Sequence, residues 1–182
     1  MPENYHSGFR GFITLRDALR YSVNTVSIAL AREVGLGNII PTLARELYIK
    51  PQQIPYNLSI ALGTHEVSPL GMARAFSHFP RGGESIEPVL LKKVFDRNNK
   101  LIKDFTPQQK KEQIISMGAA TIMRSMLETA VITGTGASVR KTGYGGYAAG
   151  KTGTTNGFRD AWFVGFNRRY TSAVWVGYDR PR

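Results

Sequence analysis

Apolar positions along the chain recur first with a helical spacing and later with a spacing of two. Thr14-Leu15-Arg16-Asp17 reads as a helix start, with Thr14 as N-cap and Asp17 in the first turn. Leu15, Ala18 and Leu19 turn inward in that helix, which stops near Tyr21. Ser22-Val23-Asn24 falls in a short break, where Asn24 can cap a second helix running through Val26, Ala29 and Leu30 to a stop at Gly35. A third helix is predicted from about Asn38 to Tyr48, followed by loop at KPQQIPYN. Ser68-Pro69 opens a fourth, with proline where its missing N–H costs least. Met72, Ala73, Phe76 and Phe79 line one face, and Gly82-Gly83 ends it.

Next, PVLLKKVFD and KLIKDF flank Arg97-Asn98-Asn99, a hairpin signal. A long helix is predicted at about Glu112 to Ala130, closing in TGTGAS. The period then falls to two: a short strand at Gly150 to Thr154, DAWFVGF, a turn at Asn167-Arg168-Arg169, and YTSAVWVGYD. Helices first and an antiparallel meander last predict an α+β fold, a helical layer on an antiparallel sheet. Apolar residues occupy both faces of DAWFVGF, with Trp162, Val164 and Phe166 set against Ala161, Phe163 and Gly165. That is the pattern of a sheet buried on two sides, and the helices here can cover only one.

Composition narrows the classes. A chain of 182 residues fits one domain, and a 42% hydrophobic fraction fits a globular one. No apolar run approaches the roughly 20 residues that span a bilayer, and MPENYHSGFRG lacks the features of a signal peptide. Any membrane attachment is therefore expected through segments not on this chain. The absence of cysteine excludes disulfides and thiolate zinc sites. His6, His65 and His78 form no metal-ligand pattern and read as surface or structural residues, so neither metal nor cofactor is called for. The formal charge of +11 would suit nucleic acid, an anionic membrane surface or an acidic polymer such as cell wall. Basic residues are scattered, however, and no basic stripe interleaved with aromatics is present, which counts against nucleic acid.

The chemistry concentrates in RKTGYGGYAAGKTGTTNGFRDAWFVGF, Arg140 to Phe166. GGYAAGKT formally matches the phosphate loop G-x-x-x-x-G-K-[ST]. That loop needs a buried strand before it and a helix opening at its Lys-Thr pair, whose amides cradle the phosphate. GASVRKTGY supplies no such strand, and Gly153-Thr154-Thr155-Asn156-Gly157 cannot start a stable helix. Lys151 suits another task. On a strand edge, an ammonium and a threonine hydroxyl can grip a carboxylate, a backbone N–H can donate to a developing oxyanion, and Gly153 lets another backbone approach.

GKTGTTNGFRDAWFVGF resembles the Lys-Thr-Gly strand of serine acyl-transferases of the penicillin-binding and β-lactamase type, and Ser22-Val23-Asn24 stands where that family carries Ser-x-Asn. FRGFITLRDALRYSVN, ALGTHEVSPLGMARAF, ITGTG and VWVGYD are similar to class A (bifunctional) penicillin-binding proteins, so the likeness covers nearly the whole chain. It implies that the expected fold is an incomplete penicillin-binding/β-lactamase-like transpeptidase fold. Periplasmic peptidoglycan stem peptides and β-lactams would be its ligands.

Residue by residue, the resemblance implies that Ser22 relays a proton and Asn24 hydrogen-bonds the donor peptide. Lys151 would place positive charge near the relay serine and the terminal carboxylate. Thr152 and Thr154 would bind that carboxylate, with Gly153 between them and the Thr154 N–H forming half of an oxyanion hole. Ordinary helix capping remains the alternative for Ser22 and Asn24.

The family's nucleophile lies in Ser-x-x-Lys, before Ser-x-Asn and at a helix start. Only Ser138-Val139-Arg140-Lys141 has that spacing here. It comes after Ser22, and Gly143, Gly145 and Gly146 are expected to forbid a helix there. Lys141-Thr142-Gly143 is expected to be loop. The chain is therefore expected to be part of a transpeptidase domain, lacking the nucleophile's helix and the closing C-terminal helix, and completed by the missing remainder. A non-catalytic module that binds peptidoglycan or a partner through Lys151 is the competing reading.

Overall fold

The computed structural model describes residues 11–106, 111–155 and 159–178. His6, the residues 156–158 of the extended Lys-Thr-Gly motif and the closing segment from 179 lie outside them. The α+β expectation holds. Three helices come first, α1 (Leu15–Arg20), α2 (Asn24–Val34) and α3 (Leu36–Leu47), followed by short 3-10 turns and α4 (Pro69–Ser77). Then come the strands β1 (Glu84–Ile86), β2 (Lys93–Phe95), β3 (Leu101–Asp104) and β4 (Lys111–Gln113). Helices α5 (Met117–Thr133) and α6 (Ser138–Lys141) lead into strands β5 (Ala149–Thr154), β6 (Ala161–Phe166) and β7 (Thr171–Val176).

Side chains cap the starts of α1, α4 and α5. Thr14 Oγ1 accepts from the Asp17 N–H at 3.1 Å, and Ser68 Oγ accepts from the Gly71 N–H at 3.0 Å. Ser116 caps α5 in the same way, accepting from the Ala119 N–H at 3.2 Å. That cap corrects the expected start near Glu112, because Lys111–Gln113 pairs antiparallel with Glu84–Ile86. Both strands are too short and too polar to show a period of two. The cap position of α2 belongs to Val23 and not to Asn24, which is the first helical residue. Leu15 stays 51% exposed, so in a helix of two turns Ala18 and Leu19 carry the inward face.

Strands β5, β6 and β7 form one antiparallel meander with β5 and β7 at its edges. Register assigns its faces: Ala149, Lys151, Gly153, Trp162, Val164, Phe166, Ala173 and Trp175 share one, and Gly150, Thr152, Phe163, Gly165, Val174 and Val176 share the other. The first face meets the helices. Ala149 and Phe166 are buried with Leu127 of α5, and Leu19, Phe76, Phe79 and Met123 pack around them. A second cluster, Ile40, Ala44, Ile54 and Ile60, holds α3 to the segment after it.

On the second face Phe163 lies across the paired Gly150 and Gly165. A Cβ at either glycine would stand 2.9 Å from its ring. Val174 and Val176 remain 52% and 66% exposed there. Among the described residues, the two-sided pattern of the sequence is thus met by helices on one side only. The β2–β3 hairpin adds Phe95, Leu101 and Ile102 to the exposed apolar surface, and Leu90 before it is exposed as well. We predict that the 182-residue chain will bind a hydrophobic dye and self-associate. Val174→Lys with Val176→Lys should lower both signals without lowering the melting temperature; an unchanged dye signal would place the patch elsewhere.

Candidate functional site

Ser22 sits at the corner where α1 ends. The Ser22 N–H donates to the Leu19 carbonyl at 3.2 Å and the Val23 N–H to the Ala18 carbonyl at 2.9 Å. This pair of bonds is the Schellman arrangement, in which the residue after the cap turns left-handed and the next one buries an apolar side chain. Val23 supplies that contact, being 8% exposed. Glycine usually fills the left-handed position, yet here it is a serine at φ 55. Capping therefore does not explain Ser22. Its hydroxyl caps no helix, and its backbone carries strain of about 1–2 kcal/mol that glycine would avoid.

The hydroxyl is spent across the fold. Lys151 Nζ donates to Ser22 Oγ at 2.9 Å and to the Thr152 carbonyl at 3.0 Å. Residues far apart in sequence are thereby joined at the expected pair. Burial pushes the Lys151 ammonium down to about 8. Asn24, two residues on, opens α2 beside this corner.

The other candidates lie along β5. Thr152 Oγ1 donates to Thr135 Oγ1 at 2.9 Å, and Thr154 is exposed near the end of the strand. Gly153 packs against Trp162, whose Cβ would lie 3.3 Å from an added methyl. Among the described residues strand β5 pairs only with β6, which leaves its other edge without a strand partner there.

Two groups lie in stretches quoted for the resemblance but receive no role from the sequence. Thr135 belongs to TGTGAS, which looks like a helix end and carries no chemistry of its own. Asp160 ties the sheet together where β5 passes to β6. It accepts from Trp175 Nε1 at 2.9 Å and from Thr155 Oγ1 at 3.1 Å, while its N–H donates to Thr155 Oγ1 at 2.9 Å. An aspartate beside a β-strand with tryptophan two strands away in sequence gives little signal before the register is known.

The first Lys-Thr-Gly leaves a helix at its lysine, with Thr142 and Gly143 in the turn beyond it, but the helix expected to be forbidden is present. Ser138–Lys141 is one helical turn, and Gly143, at φ +85, follows its end. The glycines terminate that turn and do not prevent it. His78 is structural, 1% exposed and with Nε2 3.4 Å from Glu46 Oε1. Among the described residues no group of three potential ligands could hold a metal ion.

A family model described as penicillin binding protein transpeptidase domain matches residues 3–179. The chain is 38% identical over 184 residues to penicillin-binding protein 1A of Neisseria lactamica, covering 100% of this chain and 23% of that protein. It is 35% identical over 179 residues to penicillin-binding protein 1A of Aquifex aeolicus (strain VF5), covering 98% and 24%. Among solved structures, penicillin-binding protein 1A from Haemophilus influenzae matches with a TM-score of 0.89 and 25% identity, over 99% of this chain and 32% of that one. The D,D-transpeptidase domain of a peptidoglycan glycosyltransferase from Eggerthella lenta matches with a TM-score of 0.75 and 25% identity, over 94% and 49%. The chain thus spans about a quarter of the length of the curated relatives it matches.

The strained corner is open to a direct test. Ser22→Gly and Ser22→Ala both remove the hydroxyl that Lys151 uses, and they differ only in the Cβ at a left-handed position. Chemical denaturation should find the glycine variant more stable than the alanine variant by about 1 kcal/mol. Equal stabilities would mean that the corner is not strained.

Proposed function

The chain belongs to the penicillin-binding protein transpeptidase family, and from that premise we propose that it forms part of a peptidoglycan D,D-transpeptidase that works by acyl-serine transfer. Its donor substrates are stem peptides ending in D-Ala-D-Ala, and β-lactams bind as their mimics. The attacking serine comes from a Ser-x-x-Lys segment preceding these residues in a longer bifunctional cell-wall synthase. That longer protein also carries the glycosyltransferase and the anchor, at the outer face of the cytoplasmic membrane. No described helix here is long and apolar enough to cross a membrane.

The observation that carries this reading is the Lys151 to Ser22 hydrogen bond. In acylation the serine oxygen attacks the penultimate D-Ala carbonyl carbon, and the bond to the terminal D-Ala nitrogen breaks. That nitrogen must gain a proton. Ser22 passes it one from the attacking hydroxyl, with the Lys151 ammonium holding the relay oxygen in place and favouring negative charge on it. An ammonium brought down to about 8 is still mostly charged at neutral pH, so it can also attract the terminal carboxylate. Thr152 and Thr154 bind that carboxylate, Gly153 admits the donor backbone, and the Thr154 N–H contributes to the oxyanion hole. Asn24 holds the donor amide.

Intact-mass measurement after incubation with penicillin tests this directly. The 182-residue chain should carry no adduct, whereas a longer chain including the upstream Ser-x-x-Lys should gain one penicilloyl group. Ser22→Ala in the longer chain should slow that acylation by roughly 10²- to 10⁴-fold. Acylation at the wild-type rate would remove Ser22 from the relay, and an adduct on Ser138 of the short chain would overturn the assignment.

A further inference from the structure

The turn that closes α5 bonds to neighbours in sequence of both Ser22 and Lys151. On the helix side, the Thr135 N–H donates to the Arg20 carbonyl at 3.1 Å, and Arg20 Nε donates back to the Thr133 carbonyl at 3.2 Å. Arg20 lies two residues before Ser22. Farther along the same helices, Arg16 Nη1 donates to Ser125 Oγ and Thr129 Oγ1, both at 3.0 Å. On the strand side, Thr135 Oγ1 accepts from Thr152 Oγ1 at 2.9 Å, one residue after Lys151. Between these contacts Gly134 lets two backbones meet. A Cβ there would stand 2.5 Å from the Arg20 carbonyl oxygen and 2.8 Å from that of Ala130.

We infer that the Gly134-Thr135 turn is a positioning element for the site: it sets the separation of Ser22 from Lys151, and the Thr135 hydroxyl aims that of Thr152. The consequence for catalysis rests on the transpeptidase reading, while the geometry does not. Arg20 and Ser22 belong to one rigid corner, so displacing the Arg20 carbonyl displaces Ser22 with it. Fixing Thr135 to that carbonyl and to Thr152 leaves little play between corner and strand. Gly134 is glycine because any side chain would wedge the two apart.

The hydroxyl pair adds an orientation argument. Thr152 has one proton, and without substrate it is directed at Thr135. When a carboxylate claims that proton, Thr135 can donate its own into the lone pair that Thr152 then presents. The two hydroxyls become a polarised chain in which Thr152 is a better donor than it would be alone. Valine has the shape of threonine but cannot make that chain. Serine can.

Two measurements test the inference. In the 182-residue chain, NMR titration of the Lys151 Nζ should give a midpoint near 8 for the wild type. Gly134→Ala should move it upward toward the ordinary lysine value of 10.5, because prising the corner from the strand readmits water. In the longer chain that carries Ser-x-x-Lys, Thr135→Val should raise the half-saturating penicillin concentration by about 3- to 10-fold with little change in the limiting acylation rate, and Thr135→Ser should restore it. A Gly134→Ala midpoint equal to wild type, or valine and serine variants that acylate alike, would overturn the inference. Should Gly134→Ala not fold, the valine and serine pair decides. If the longer wild-type chain forms no adduct at all, the transpeptidase reading fails while the Lys151 titration still judges the turn.

Discussion

A lysine on an edge strand, turned into the helical layer, loses much of its water, and the protein must supply donors' partners in exchange. Lys151 faces the same side of the sheet as Val164 and Ala173 and finds the Ser22 hydroxyl at 2.9 Å and the Thr152 carbonyl at 3.0 Å. Both partners are neutral. The ammonium is therefore stabilised enough to remain but not enough to keep its ordinary proton affinity, and its pKa falls to about 8. A carboxylate partner would have held the charge firmly and left the site unresponsive to an incoming carboxylate. Burial beside a hydroxyl leaves the charge without a fixed counter-ion.

The surrounding fold serves that geometry. Ser22 reaches Lys151 because α1 stops in a left-handed turn, with Val23 buried beneath it. The corner stays in register with the strand because α1 is bound to α5 through Arg16 and Arg20, and α5 ends against both. The sheet is stiffened by Trp162 and Trp175, whose ring centroids lie 6.2 Å apart, and by the Asp160 bonds at its end. Strain at one corner and partial desolvation of one lysine are costs that stability alone would not select. Both costs meet in one hydrogen bond, between Lys151 and Ser22.

Much of this was legible in the sequence because it is written in local patterns. Capping residues announced α1 and α4, and alternation announced β6 and β7, down to the apolar residues on both faces. Where the pattern is short the reading failed. Strands β1 and β4, three residues each, declare themselves only through pairing, so the start of α5 was placed early. The glycines after Lys141 argue against a helix at Ser138–Lys141, yet they only end its single turn. Lys151 stands out from the chemistry of an ammonium, threonine and glycine on a strand edge, whereas Ser22 is marked through resemblance alone. Their contact, the strain at Ser22 and the part of Thr135 depend on register and on the packing of α1 against α5, neither of which a linear pattern encodes.

The central claim is that Ser22 and Lys151 act as one unit in acyl transfer. A double-mutant cycle in the longer chain measures this most directly, comparing the penicillin acylation rates of wild type, Ser22→Ala, Lys151→Met and the double variant. The account predicts strong non-additivity, the double variant being little slower than the slower single one, since either change dismantles the same relay. Independent effects that multiply in the double variant would contradict it.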